Sequence, residues 1–292
     1  STDGIYTVTL WVNNSVSCGD SWSTTVAVTR EPVAGFMMAA TACQGMEVLF
    51  EDQSQQDGGG AIVSWQWDFG DPASGVENYS TEQEPVHSYA APGNYTVTLI
   101  VTNYNGCDDT LQKAIAVTGK PLAGFGYGAG CVGDSTLLWA DTTVVNTGAI
   151  QAYAWDFGDG GTAYGRNTAH TYLSPGTYKV TFTVTDTAGC ENDTSRYITI
   201  TTPPVSHFMA PADNCLGASI LFHDLSSGTD GYLTTWLWDF GDGNTQTIFF
   251  PDTPDAVHNY ATAGTYPVTL TVTDSYGCTH QEERLITVND AP

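Results

Sequence analysis

One segment recurs four times and limits what the chain folds into: Gly4-IYTVTLWVNNSVS-Cys18, Gly93-NYTVTLIVTNYNG-Cys107, Gly176-TYKVTFTVTDTAG-Cys190 and Gly264-TYPVTLTVTDSYG-Cys278. Successive copies stand 89, 83 and 88 residues apart. Such periods exceed a solenoid unit and match a domain with its own core. Three further motifs share the spacing. Trp67-Asp68-Phe69-Gly70-Asp71 recurs as Trp155-Asp156-Phe157-Gly158-Asp159 and Trp238-Asp239-Phe240-Gly241-Asp242. His87-Ser88-Tyr89 recurs as His170-Thr171-Tyr172 and His258-Asn259-Tyr260. An opening Phe (Phe36, Phe125, Phe208) is followed six or seven residues later by Cys43, Cys131 or Cys215.

These landmarks divide the 292 residues into a C-terminal remnant of a repeat at 1–30 and full repeats at 31–118, 119–202 and 203–292. The joints are short and carry Pro32, Pro121, or Pro203 and Pro204. Proline fixes φ and stiffens such joints. Within each repeat the apolar residues alternate. Tyr95, Val97, Leu99 and Val101 share one face and threonines take the other, the pattern of a half-buried antiparallel strand. Trp65, Trp67 and Phe69 make a second strand face aromatic. Short strands between Gly, Asp, Asn and Pro clusters predict an all-β chain of tandem immunoglobulin-like sandwiches. Asp71-Pro72 stands where the other repeats have Asp-Gly, so the first full repeat should turn differently there.

The Trp-Asp-Phe-Gly-Asp motif, the His-x-Tyr and the Gly-x-Tyr-x-Val-x-Leu-x-Val run together resemble the PKD (polycystic kidney disease) domain. Three copies and a remnant span essentially the whole chain. The resemblance implies two packed sheets per repeat. Tandem, cysteine-bearing arrays of this style resemble large secreted surface adhesins of Bacteroidota, exported by a type IX system.

Each full repeat has a cysteine after its opening strand and another in its late turn. The expected pairs are therefore Cys43–Cys107, Cys131–Cys190 and Cys215–Cys278, with Cys18 left for an upstream cysteine. The alternative is buried thiols. Disulfides at this density indicate a compartment outside the cytosol. No CxxC or HExxH spacing occurs, which disfavours zinc.

Composition excludes several classes. Seven cations against 32 acidic residues give a net charge of −25, so neither nucleic acid nor an anionic membrane is an expected partner. The acidity is uneven: eleven net negative charges in 31–118, three in 119–202 and ten in 203–292. No run of 18 apolar residues occurs, so no membrane insertion is expected.

Candidate chemistry is sparse. His87, His170 and His258 occupy one repeat position, as structural residues do; a catalytic residue is seldom copied into every repeat. No Gly-x-Ser-x-Gly elbow occurs. No catalytic residue and no cofactor are expected, structural calcium excepted. Its candidate ligands are Asp68, Asp71, Asp156, Asp159, Asp239 and Asp242, with Glu31 beside the first joint. The competing role for these carboxylates is turn formation through backbone N–H acceptance. Asn13, Asn78, Asn94 and Asn192 open Asn-x-Ser/Thr triplets. Thr110, Ser135, Thr142 and Thr187 follow Asp in a short pattern resembling Bacteroidota O-glycosylation sites. Tyr79, Tyr104, Tyr127, Tyr164, Phe249 and Phe250 are candidates for sugar stacking, against packing on a neighbouring sheet.

The expected function is a non-catalytic stalk or spacer of a cell-surface or filament-forming adhesin, serving attachment, gliding contact or prey capture. Its partners would be neighbouring repeats, further copies in a homo-oligomer or filament, and surface glycan. The alternative is a set of accessory PKD modules of a secreted protease or polysaccharide-degrading enzyme.

Overall fold

The computed structural model describes residues 3–141, 143, 144, 148–212 and 214–290. Strands dominate, as the period-two alternation requires. The chain divides into two compact units: residues 1–121 with 145–149 and 186–190, and residues 122–144, 150–185 and 191–292. Three separate hydrophobic cores lie along it, each built from one full repeat.

In the first full repeat the larger sheet runs in the order Thr41–Cys43, Asp108–Thr118, Gly93–Asn103, Ile62–Asp68, Tyr79–Ser80. Opposite it lie two short pairs, Phe36–Met37 with Glu51–Asp52 and Glu47–Leu49 with Val86–Ser88. The third full repeat has the same order in its larger sheet, Asn214–Cys215, Thr279–Asn289, Gly264–Asp274, Leu233–Asp239 and Thr245–Phe249, and a three-stranded sheet as its second. The middle repeat packs a four-stranded sheet against a three-stranded one. The Gly-x-Tyr segment is the central strand each time. Its alternation is realised in full: Val97, Leu99 and Val101 are buried, as are Val180, Phe182 and Val184, and Val268, Leu270 and Val272.

Each core is centred on the tryptophan of the shared motif. Trp67, Trp155 and Trp238 are buried, and the opening Phe36, Phe125 and Phe208 meet them edge to face at 5.1, 5.2 and 5.2 Å. The indole N–H groups donate to backbone carbonyls of Glu82, Gly165 and Pro254, so all three buried indole donors are paired.

The strands Gly4–Asn13 and Gly19–Val28 pair as a lone hairpin. Its Tyr6, Val8, Leu10 and Val12 align with Tyr95, Val97, Leu99 and Val101, yet all four are exposed. Among the described residues the hairpin stands as a two-stranded sheet with the strand pattern of the repeats.

Candidate functional site

Two constellations recur, and neither is arranged as a catalytic centre. The first lies at the turn after the tryptophan strand. Asp68, Asp156 and Asp239 each accept the backbone N–H two residues on, from Gly70, Gly158 and Gly241, at 2.9 Å. That glycine has φ near +75° (71°, 80° and 74°), and an added Cβ would stand 2.4–2.6 Å from a carbonyl oxygen of the central strand. Only glycine satisfies both conditions. Next, Asp71, Asp159 and Asp242 face the repeated histidines, with carboxylate-to-Nε2 distances of 3.3, 2.7 and 2.8 Å. Each imidazole stacks on the motif's Phe at 4.0–4.4 Å and meets the next Tyr edge-on. Tyr89, Tyr172 and Tyr260 donate through their hydroxyls to the carbonyls of Phe69, Phe157 and Phe240. Burial, with the nearby Asp carboxylates, pushes these phenols far above their ordinary range.

Partial burial opposes ionisation of Asp159 and Asp242. Hydrogen bonds from His170 and the Gly161 N–H, and from His258 and Asn244, outweigh it and hold both carboxyls below the usual value. The six candidate calcium ligands are thus engaged with N–H donors. Among the described residues no three of His, Cys, Asp and Glu gather as a metal cluster would require. The arrangement suits a turn lock.

The expected departure at Asp71-Pro72 is a 3₁₀ segment, Pro72–Asn78. Asn78 closes it by donating to Asp68 and accepting from the Asp71 N–H. Asn78 is consequently buried and offers no side chain for a glycan. Asn13 and Asn94 are exposed and Asn192 is half-buried. Thr110, Ser135 and Thr187 are exposed, whereas Thr142 lies outside the described residues. Among the aromatics, Phe249 and Phe250 are 60% and 63% exposed, with Phe250 beside Tyr232, so neither ring packs into a core. Tyr79, Tyr104, Tyr127 and Tyr164 are exposed as well.

A third regularity escaped sequence reading. Lys113, Arg196 and Arg284 stand over the rings of Phe36, Phe125 and Phe208 at 5.0, 5.5 and 5.5 Å. They occupy one register position, opposite Val97, Val180 and Val268. Aligning the repeats by their cations would have found it. Lys113 and Arg284 are the lone cations of 31–118 and 203–292, which explains where so acidic a chain keeps positive charge.

The second constellation is the cysteine junction, and it corrects the sequence expectation. Cys43 is bonded to Cys190 and Cys131 to Cys278, each across 147 residues. Cys18, Cys107 and Cys215 are free. None of the intra-repeat pairs Cys43–Cys107, Cys131–Cys190 and Cys215–Cys278 forms, for a geometric reason. Cys43 pairs in parallel with Thr118, at the far end of the 11-residue strand Asp108–Thr118, while Cys107 immediately precedes that strand. Eleven extended residues span about 36 Å, whereas a disulfide needs Cα atoms within about 7 Å. The late turn of the following repeat supplies the partner instead. In both bonds the Cα atoms are 5.5–5.6 Å apart.

The late turns share a further device. Asn103, Asp186 and Asp274 are buried and accept through Oδ1 from two backbone N–H groups, those of residues 105 and 107, 188 and 190, and 276 and 278. The Asn103 amide also donates to the Arg30 carbonyl at 3.1 Å. Asp186 and Asp274 have no such donor, and their Oδ2 atoms are buried without a partner. Asp274→Asn should therefore stabilise the third full repeat. It would supply the N–H that the first full repeat directs at its linker, worth about 1–3 kcal/mol. A melting temperature several degrees higher is the expected result; an unchanged or lower one would show that Oδ2 bears no such cost.

The chain is 28% identical over 172 residues to a microbial collagenase of Vibrio alginolyticus, covering 53% of this chain and 20% of the collagenase. It is 32% identical over 165 residues to the pre-pro-metalloprotease PrtV of Vibrio cholerae, covering 56% and 17%. The chain thus spans about a fifth of the length of these relatives. The crystal structure of the PKD1 domain of V. cholerae PrtV shares 40% identity and has a TM-score of 0.26, covering 30% of this chain and 98% of that domain. The PKD domain family matches residues 29–119, 120–202 and 201–288, leaving residues 1–28 and 289–292 outside, and the chain belongs to that family.

Proposed function

We propose that this segment is a non-catalytic spacer of an extracellular protein: an array of accessory modules that positions a hydrolase domain on its substrate. The observation that carries this reading is the pair of bridges from one repeat to the next, Cys43–Cys190 and Cys131–Cys278. A covalent tie between repeats removes bending freedom that proline joints alone leave, and so transmits orientation along the array. Likeness to a collagenase and a metalloprotease supports the hydrolase context. Disulfides are kept in oxidising compartments, which supports an extracellular location.

The same ties favour a second reading, the stalk of a surface adhesin, because they also limit extension under tension. Deleting residues 31–290 from the polypeptide that carries them separates the two. Under the positioning reading, cleavage of a short soluble peptide is unchanged, while cleavage of collagen fibrils falls about tenfold, the loss of oriented binding. No hydrolysis by the intact polypeptide would overturn it in favour of the stalk.

A further inference from the structure

The two bridges obey one rule. The opening cysteine of a repeat pairs in parallel with the last strand of its own repeat, Cys43 with Thr118 and Cys131 with Thr201. It then bonds the late-turn cysteine of the next repeat. The threonine sits at the bond: Thr118 Oγ1 is 2.9 Å from Cys190 Sγ, and Thr201 Oγ1 is 3.2 Å from Cys278 Sγ. All four bonded cysteines are buried.

The free cysteines occupy half-built copies of the same junction. Thr29 ends the hairpin region as Thr118 and Thr201 end their repeats, and its Oγ1 is 3.6 Å from Cys107 Sγ. Cys107 therefore has its threonine and lacks only an opening cysteine; it is half-buried where Cys190 and Cys278 are fully buried. Cys215 has the complementary half. It pairs in parallel with Asn289, the end of its own last strand, and is exposed. Cys18 repeats the late-turn geometry, its N–H bound to Asn14 Oδ1 as that of Cys107 is to Asn103 Oδ1.

We infer that Cys107 and Cys215 are the open ends of a staggered disulfide ladder, and that each bonds the cysteine of a further PKD repeat. Cys107 takes an opening-strand cysteine lying beside Thr29. Cys215 takes a late-turn cysteine docked against Asn289. Cys18 continues the series with an opening-strand cysteine one repeat further on. Each bond forms by thiol–disulfide exchange with a disulfide-bearing oxidant, a protein dithiol oxidase or a small-molecule disulfide. The two cysteine thiols lose two electrons and two protons, and the oxidant's disulfide is reduced to two thiols. The further repeat belongs either to the same polypeptide or to a second copy, since the recognising chemistry is the same.

Non-reducing peptide mapping of the intact polypeptide tests this, after iodoacetamide labelling under native conditions. Cys107 and Cys215 should resist labelling until reduction. The Cys107 peptide should be cross-linked to an opening-strand cysteine and the Cys215 peptide to a late-turn cysteine, neither being Cys43 or Cys278. A non-reducing gel distinguishes the sources: one chain mass places the repeat in the same polypeptide, while multiples that collapse on reduction place it in a second copy. Labelling of Cys107 and Cys215 in the native protein would overturn the inference. So would a Cys43–Cys107 or Cys215–Cys278 link, or pairing of two opening or two late-turn cysteines.

Discussion

Pulled apart with both bridges closed, the unfolded chain between Cys43 and Cys278 should extend by no more than about 210 Å. The shortest covalent route crosses one bridge from Cys43 to Cys190, returns along 59 residues to Cys131, and crosses the other to Cys278. With both bridges reduced the route is 235 residues, about 820 Å. The single variants show the design most clearly. Without Cys190, tension runs 88 residues from Cys43 to Cys131 and then over the remaining bridge. Without the second bridge it runs 88 residues from Cys190 to Cys278. Cys190→Ser or Cys278→Ser alone should therefore release about 100 Å, and the double variant about 620 Å. Bridges closed inside separate repeats would give additive releases. Single-molecule force spectroscopy with handles at the termini reads the difference directly, and additivity would refute the staggered arrangement.

Gly158→Ala should destabilise the middle repeat by about 3 kcal/mol or more, while Gly160→Ala should cost about 1 kcal/mol. Both glycines have positive φ, 80° and 93°, so both variants carry the backbone strain of a left-handed residue. They differ in surroundings. A Cβ at Gly158 lies 2.6 Å from the Lys179 carbonyl oxygen, whereas Gly160 has nothing within 4 Å. The clash cannot relax by a side-chain rotation, because Lys179 contributes backbone of the central strand, paired with Tyr197. Relief requires the turn to leave the strand, breaking the Asp156–Gly158 hydrogen bond and loosening the Asp159–His170 pair. Urea unfolding followed by tryptophan fluorescence should show the gap between the two variants. Equal losses would show that the close approach contributes nothing.

Much of the fold was legible because its signals are local. Alternation over residues 93–103 is a property of one strand, and its buried face is Val97, Leu99 and Val101 as read. The turn after Asp71 was expected to differ on the strength of Pro72 alone, and it does. The cysteine pairing was not legible. A period along the chain is preserved whether a bond closes within a repeat or reaches into the next, so repetition cannot choose between them. The deciding fact is the parallel pairing of Thr41–Cys43 with the end of Asp108–Thr118, a contact between residues 75 apart. Burial of Asn78 was hidden for a similar reason. Its Asn-Tyr-Ser triplet reads as surface, but the 3₁₀ segment turns the side chain inward to Asp68.

The bridge geometry also orders events in time. A repeat folded on its own holds its two cysteines at opposite ends of a 10- or 11-residue strand, so its native shape does not bring them together. Cys43 must wait until another 147 residues have emerged and the late turn ending at Cys190 has formed. The native bond at Cys43 thus draws on two successive repeats, and a repeat folded alone cannot supply it.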